Sequence, residues 1–159
     1  MSGGIQTYMT IIGKISISDD GAGNIDGVYL PNCNLPFREC RECSVTAEAA
    51  RQIDEFLTGR RTTFDLPLKV EGTDFQKSVW DELCNIEYGK TASYGEIAKK
   101  IGRPNAYRAV GNACGANRLP LIIPCHRVVS SQGIGGFLGG FLGGVALKKK
   151  LLNIEGIEI

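Results

Sequence analysis

The sequence predicts an α+β protein with two lobes. Residues 1–69 are predicted to form a small antiparallel sheet covered by a helix, because their apolar residues alternate with polar ones before one stretch of helical spacing. Residues 70–159 are predicted to be mostly helical, because residues 73–116 repeat apolar side chains at helical spacing. With 159 residues, 43% of them hydrophobic, the chain is long enough to bury a core.

Several broad classes of protein are disfavoured by the composition. The six cysteines could form a disulfide scaffold, but residues 1–6 do not begin a basic region followed by an apolar stretch, as a secretion signal would. No apolar run approaches the length needed to span a bilayer. We therefore expect a cytoplasmic protein with reduced thiols and no membrane association.

The charges are segregated along the chain although the formal net charge is only +1. Residues 88–154 have a net charge of +9, with Glu96 as their one acid, so the remaining residues have a net charge of −8. This pattern favours a polyanionic partner, most often a nucleic acid, over a solvated charged face. The basic residues of this segment are Lys90, Lys99, Lys100, Arg103, Arg108, Arg118, Arg127, Lys148, Lys149 and Lys150.

The first lobe is predicted to contain two short strands and one helix. Residues 5–30 are interrupted at residues 19–24, which are typical of a turn between two strands. Helical spacing and a terminal glycine predict an amphipathic helix over residues 45–58, covering the sheet. The strand residues predicted to be buried are Ile11, Ile15, Ile17, Ile25, Val28 and Leu30.

Three cysteines precede that helix. Cys33, Cys40 and Cys43 could occupy three corners of a zinc site, but no histidine is nearby and a fourth ligand is not evident. We favour reduced structural or surface thiols and predict no metal.

The second lobe begins with two helices that are marked by capping boxes. Thr73 with Gln76, and Ser93 with Glu96, have the spacing in which each side chain binds the other residue's backbone N–H. Trp80 is predicted to belong to the core. The first helix is expected to bury Phe75, Val79, Leu83 and Ile86, and the second to bury Tyr94, Ile97, Ala98 and Ile101.

The next predicted helix, over residues 105–116, has an apolar face of small side chains and an opposite face that contains two glycines and an arginine. Gly111 and Gly115 lie in its interior, where each glycine costs roughly 1 kcal/mol relative to alanine, so a large partner is expected to approach the backbone closely. A helix-turn-helix with a DNA-facing second helix fits this pattern. Packing between helices through the glycines is the alternative, but it leaves Arg108 unexplained. The predicted apolar face is Ala106, Ala109, Val110, Ala113 and Cys114.

Cys125 is the candidate nucleophile. It precedes His126, the one histidine of the chain, and Arg127, and an electropositive setting of this kind promotes the reactive thiolate. Pro124 is expected to end the preceding apolar run and to present these residues at the edge of an element. The Cys-His dipeptide alone favours a buried thiol and a core histidine, but the residues around it reverse this preference.

The last part of the chain adds a glycine-rich segment and a final helix. Gly-Phe-Leu-Gly occurs twice in tandem within residues 133–144, which suggests a loop that admits a planar ligand, or else a flexible linker. The final helix is expected to bury Leu147, Leu151 and Ile154 and to expose residues 148–150. Glu155 continues the apolar stripe, and a buried carboxylate requires a partner, for which His126 is the candidate.

These residues together resemble the methylated-DNA-protein-cysteine methyltransferases, also called O6-alkylguanine-DNA alkyltransferases. The resemblance extends from about Phe75 to Gly156, and Pro-Cys-His-Arg at residues 124–127 is its most specific part. The other matching segments are residues 75–80, 88–91, 93–98, 108–111, Asn117 and residues 123–128. The resemblance implies irreversible transfer of an alkyl group from a flipped-out guanine to the cysteine, once per molecule.

The resemblance also implies roles for individual residues. Cys125 would accept the alkyl group, with His126 as a base acting through a water molecule and Glu155 orienting it. Asn117 would connect the helix-turn-helix to the active-site segment, Tyr94 would donate a hydrogen bond to the leaving guanine, and Arg108 would fill the vacated stack. The expected DNA contacts are Arg108, Ala109, Gly111, Asn112, Arg118 and Arg127.

The implied partner is double-stranded DNA that contains O6-alkylguanine, with O4-alkylthymine as a further substrate, and the helix would enter the minor groove. We expect a monomer that needs no cofactor. Two other functions fit the residues less well. A non-catalytic module that binds alkylated DNA would lack Cys125, and a thiol hydrolase would usually take its histidine from a distant part of the sequence.

Overall fold

A computed structural model describes residues 2–131, 133–134 and 144–159 of the chain. The chain divides into two compact units, Met1–Val70 and Glu71–Ile159. The first unit contains a four-stranded sheet and a helix, and the described part of the second contains four α-helices and a two-stranded sheet. The α+β class predicted from the sequence is therefore confirmed.

The sheet of the first unit is mixed rather than antiparallel. The strands are β1 (Gly4–Thr10), β2 (Gly13–Asp19), β3 (Ile25–Tyr29) and β4 (Glu39–Cys40), in the spatial order β3-β2-β1-β4. Pairing is antiparallel between β1 and β2 and between β2 and β3, but β4 pairs with β1 in parallel. The prediction of an antiparallel sheet was wrong for β4, because a parallel neighbour needs a crossover, which residues 30–38 provide.

The strand expected before the turn at residues 19–24 is in fact a hairpin. Residues 11 and 12 form a tight turn, after which Gly13 adopts a positive φ of 113° that favours glycine. Ile11 is consequently 52% exposed instead of buried, whereas Ile15 and Ile17 are 1% exposed, as predicted. Ile25, Val28 and Leu30 are also buried, as predicted.

The helix of this unit, α1 (Ser44–Leu57), lies within one residue of its predicted bounds. It packs against β1 and β2 and buries Ala49, Ile53, Phe56 and Leu57. The preceding cysteines are free thiols, and the described residues contain no group of three or more His, Cys, Asp or Glu that could hold a metal.

The second unit begins with three helices that contact one another in pairs: α2 (Asp74–Leu83), α3 (Tyr94–Lys100) and α4 (Tyr107–Gly115). Both predicted capping boxes are present: the Gln76 N–H donates to Thr73 Oγ1 at 3.1 Å, and the Glu96 N–H donates to Ser93 Oγ at 3.0 Å. The predicted helix-turn-helix corresponds to α3 and α4.

Trp80 connects α2 to α4. It is 4% exposed, and its Nε1–H donates to the Ala113 carbonyl oxygen at 2.8 Å, which confirms its predicted place in the core. The packed face of α4 consists of Val110, Ala113 and Cys114. It is narrower than predicted, because Ala109 is exposed.

Two very short strands complete the framework around the candidate nucleophile. Strand β5 (Ala92–Ser93) pairs in parallel with β6 (Val128–Val129), so the residues after Arg127 lie beside the start of α3. Strands of two residues show no periodicity, and the sequence did not predict them. The last helix is α5 (Gly144–Ile154). Within the part of the chain described, no helix is both long and apolar enough to cross a bilayer.

Candidate active site

Cys125, His126 and Arg127 form one turn of 3-10 helix that leads directly into β6. The position of Pro124 immediately before this turn agrees with the predicted end of the apolar run. Cys125 is 2% exposed and His126 is fully buried, so both side chains are largely removed from solvent.

Asn117 fixes the segment that precedes the turn. Its Nδ2 donates to the Ile123 carbonyl oxygen at 2.9 Å, and its Oδ1 accepts from the Leu119 N–H at 2.9 Å. The side chain is 1% exposed. The amide therefore joins the end of α4 to the chain just before Cys125, which is the connection that the resemblance implied.

The environment of Cys125 does not favour a thiolate in the resting protein. Burial raises the pKa of its thiol to about 11, and a hydrogen bond with Asn117 and the charge of Lys148 offset this only in part. The expectation of a setting that promotes thiolate was therefore wrong, because desolvation outweighs the neighbouring positive charges. At neutral pH the resting side chain is a thiol, so its proton must leave during the reaction.

His126 is paired with Glu155, as the position of this carboxylate on the apolar stripe suggested. His126 Nε2 lies 2.5 Å from Glu155 Oε2, and neither side chain is exposed. Burial lowers the pKa of His126 by more than the carboxylate raises it. The neutral ring donates from Nε2 to the ionised carboxylate, so Nδ1 is the basic nitrogen.

Glu155 stays ionised in its buried position because three groups donate to it. Arg127 Nε lies 2.9 Å from Oε1 and 3.1 Å from Oε2, and the Gly89 N–H donates to Oε1 at 2.9 Å. Burial alone would raise the pKa of this carboxyl, but the hydrogen bonds from His126, Arg127 and Gly89 lower it below its ordinary value.

The expectation that Arg127 contacts DNA is contradicted by its position. Its side chain is 7% exposed and binds Glu155, the Ile86 carbonyl oxygen at 2.8 Å and the face of the Tyr88 ring at 5.6 Å. Because the Arg127 guanidinium is buried and already bound to these partners, it cannot bind a DNA phosphate. The sequence could not show this, because adjacent basic residues commonly lie at a surface.

Lys148 is a site residue that the sequence analysis placed on the wrong face of α5. It is fully buried, its Nζ donates to the Val128 carbonyl oxygen at 2.5 Å and to the Tyr94 hydroxyl at 3.4 Å, and it lies 5.7 Å from the Tyr94 ring centroid. Burial lowers its pKa to about 8, an effect that Cys125 and Cys114 partly oppose.

A signal for this position was present in the sequence. The buried side of α5 consists of Lys148, Leu151 and Leu152, and Glu155, the residue after the helix, continues it; the predicted stripe combined Leu151 with Leu147 and Ile154. These four residues have the spacing of one helix face. Because Lys148 is seven residues before Glu155, a helix that buries Glu155 also buries Lys148.

The residues expected to contact DNA are mostly at the surface of α4 and the turn that follows it. Arg108, Ala109, Asn112 and Arg118 are exposed, and Gly111 is partly exposed. A Cβ atom added at Gly111 would lie 3.8 Å from the Tyr94 ring, which is an ordinary contact. Packing within the protein therefore does not require glycine here. The tandem Gly-Phe-Leu-Gly segment expected to contact a planar ligand lies outside the described residues.

Comparison with known proteins agrees with this geometry. Residues 74–157 match the model of the 6-O-methylguanine DNA methyltransferase, DNA binding domain. A methylated-DNA-protein-cysteine methyltransferase of Methanosarcina barkeri is 53% identical over 109 residues, which cover 68% of this chain and just under two thirds, 66%, of the relative. The constitutive enzyme of Bacillus subtilis is 46% identical over 120 residues, which cover 75% of this chain and 71% of the relative.

The similarity extends to solved structures. The crystal structure of Mycobacterium tuberculosis OGT in complex with DNA has a TM-score of 0.85 and 35% sequence identity to this chain, and the match covers 95% of this chain and 91% of that one. The family match at residues 74–157 includes the Pro-Cys-His-Arg turn. The chain therefore belongs to the 6-O-methylguanine DNA methyltransferase family.

Proposed function

We propose that this protein repairs DNA directly, by moving an alkyl group from O6 of guanine in a duplex to Sγ of Cys125. O4-alkylthymine is a further substrate of the same chemistry. The observation that carries the proposal is the buried turn of Cys125 and His126, in which the histidine is hydrogen bonded to the ionised Glu155. A thiol next to a base that is itself oriented by a third group is the arrangement of an activated nucleophile.

The first chemical requirement is removal of the thiol proton. His126 Nδ1 accepts this proton through a bridging water molecule, and Glu155 stabilises the imidazolium that forms, since its Oε2 already accepts from Nε2–H. With a thiol pKa of about 11, forming the thiolate at pH 7 costs roughly 5 kcal/mol. Transfer of the thiol proton in the same step as attack on the alkyl carbon reduces this cost, because the protein then never contains a full, unpaired thiolate in a buried position.

The second requirement is stabilisation of the departing base. The S–C bond forms as the C–O6 bond breaks, and the guanine leaves as an anion that must gain a proton or a hydrogen bond. The Lys148 ammonium has no lone pair, so the Tyr94 hydroxyl accepts from it and directs its own hydrogen elsewhere. We assign the leaving guanine as the acceptor of that hydrogen.

The third requirement is access, because a base inside a duplex cannot reach a thiol that is 2% exposed. The target nucleotide must leave the stack, which costs a few kcal/mol. The exposed face of α4 fits a minor groove, since Gly111 is not required by internal packing. Arg108 occupies the vacated stack, and Ala109, Gly111, Asn112 and Arg118 contact the DNA around it.

These assignments define a repair protein that acts once. A thioether has no leaving group that water readily expels, so Cys125 is not regenerated and no cofactor takes part. We assign alkyl transfer and DNA binding to residues 70–159, and residues 1–69 to a separate α/β lobe. We further propose that the protein acts as a monomer in the cytoplasm.

The experiment that tests this function uses a duplex with a single labelled O6-methylguanine. Mass spectrometry of the protein with excess DNA should find one added methyl group, on the peptide that contains Cys125, and the product DNA should be unbroken. Cys125→Ala should abolish transfer yet still bind the alkylated duplex. Catalytic turnover, base excision, or label on the Cys125→Ala protein would show that the proposed function is wrong.

A further inference from the structure

Tyr107, which has no role in the chemistry proposed above, is the first residue of α4 and is 49% exposed. A single exposed ring is common on protein surfaces, so its surroundings decide whether it has a function. It precedes Arg108, the residue assigned to the vacated stack, on the helix assigned to the minor groove.

The Tyr107 ring and the Arg108 guanidinium contact each other in the free protein. The guanidinium carbon lies 5.8 Å from the ring centroid, within the range of cation–π attraction. At an exposed position this attraction is weak, so the two groups can separate when a better partner is offered. The start of α4 therefore presents a cation and an aromatic face together.

Tyr107 is also on the side of α4 that leads to the nucleophile. Tyr107, Gly111 and Cys114 are separated by four and three residues, so they follow one side of the helix. Gly111 lies beside the Tyr94 ring, and Cys114 is buried near Cys125. The ring is consequently at the surface end of a row that approaches the reacting thiol.

We propose that Tyr107 stacks on the base next to the lesion when the alkylated nucleotide leaves the duplex. This inference rests on the proposed function. Extrusion of one nucleotide exposes the face of its neighbour, and Arg108 fills only part of the space. An aromatic ring covers such a face in a sequence-tolerant way, and ring–base stacking contributes substantially to binding of unstacked nucleic acid. The ring thereby favours the extrahelical state of the lesion.

The test compares Tyr107→Phe with Tyr107→Ala on a duplex that contains O6-methylguanine and on the free alkylated base. The phenylalanine ring stacks as tyrosine does, so Tyr107→Phe should keep the duplex rate within about twofold of the original protein. Tyr107→Ala should slow duplex repair by roughly 5- to 150-fold, the range expected for one lost ring–base stack. Transfer from the free base should stay unchanged in both variants, because no stack is opened.

A fluorescent base gives a second measurement that does not depend on the reaction. The duplex carries 2-aminopurine, whose fluorescence is quenched by stacking, beside the lesion, and every protein carries Cys125→Ala so that no transfer occurs. When the protein also carries Tyr107→Ala, the bound 2-aminopurine should fluoresce more brightly than when Tyr107 is present. Phe37, a fully exposed aromatic residue of the first unit, provides a matched control: Phe37→Ala should change neither the duplex rate nor the fluorescence.

Three outcomes would overturn the stacking role. They are equal slowing of duplex and free-base transfer, a Tyr107→Phe variant as slow as Tyr107→Ala, and a reporter signal that does not respond to loss of the ring. The second outcome would indicate a hydrogen bond from the hydroxyl group instead. If Tyr107→Ala were unfolded by circular dichroism, Tyr107→Leu would replace it. Transfer from the free base to Cys125 tests the proposed function separately.

Discussion

Replacing Glu155 with glutamine tests the proton pathway most directly. The substitution preserves the size of the side chain but removes the negative charge of the carboxylate, which accepts hydrogen bonds from His126, Arg127 and Gly89. The glutamine amide can donate a hydrogen bond to His126 Nε2 and so favour the tautomer that carries its proton on Nδ1. In that tautomer Nδ1 cannot accept the thiol proton. Because general-base catalysis typically contributes 10²- to 10⁴-fold, the alkylation rate should fall by on the order of 10²-fold or more. The pH at which the thiol reacts should also rise.

The same change should weaken the fold, and this must be measured separately. Leaving buried Arg127 without its counter-charge costs on the order of 3–5 kcal/mol, which lowers Tm by on the order of 10 °C. Rates are therefore measured in single turnover, with excess protein and labelled duplex, well below the lowered Tm. Glu48→Gln is the control: its carboxylate pairs with Arg51 on α1 but is 42% exposed, so the rate should not change. A folded Glu155→Gln protein with an unchanged rate and pH profile would refute the proposed role of Glu155.

Three further predictions concern Lys148, Arg108 and acid stability. Lys148→Met should fold but repair alkylated DNA slowly, and its thiol should react at higher pH. The reason is that the Lys148 ammonium lowers the pKa of Cys125 and donates a hydrogen bond to the Tyr94 hydroxyl. Lys149→Met is the control: Lys149 is exposed on the same helix, so the rate of transfer from the free base should not change. Arg108→Ala should slow repair of duplex more than reaction with the free base, and equal slowing would exclude insertion into the stack. Stability should fall as the pH decreases below about 6.5, because His126 binds a proton more weakly in the folded protein than in the unfolded one. It should fall further below about pH 4.5, because the Glu155 carboxyl also binds a proton more weakly in the folded protein than in the unfolded one, and denaturant titrations from pH 8 to 3 with no loss of stability would contradict both pKa directions.

Much of the helical framework could be predicted because its signals are local. The capping boxes at Thr73 and Ser93 are each contained within four residues, and the buried stripes of α1 and α2 follow one period. The contact between His126 and Glu155 was also predictable, since a carboxylate on an apolar stripe needs a buried partner.

The parts that could not be predicted depend on what packs against a residue. Lys148 and Arg127 are charged, and only the folded protein shows that the carbonyl oxygens of Val128 and Ile86 accept their hydrogen bonds. The high pKa of Cys125 has the same origin, since desolvation comes from residues distant in sequence. Strand β4 was missed because two residues cannot display alternation.

The order of groups along the chain has a consequence for synthesis of the protein. Glu155 follows His126 by 29 residues and Lys148 follows Val128 by 20, so the ribosome exposes the thiol before α5, which carries Lys148 and leads directly into Glu155. Until α5 docks, the nascent chain holds an ordinary, solvated cysteine beside an unoriented imidazole. Docking then protects this nucleophile, which the proposed function uses only once: the folded protein buries the thiol and raises its pKa, so cellular electrophiles meet little thiolate and no separate inhibitor is needed.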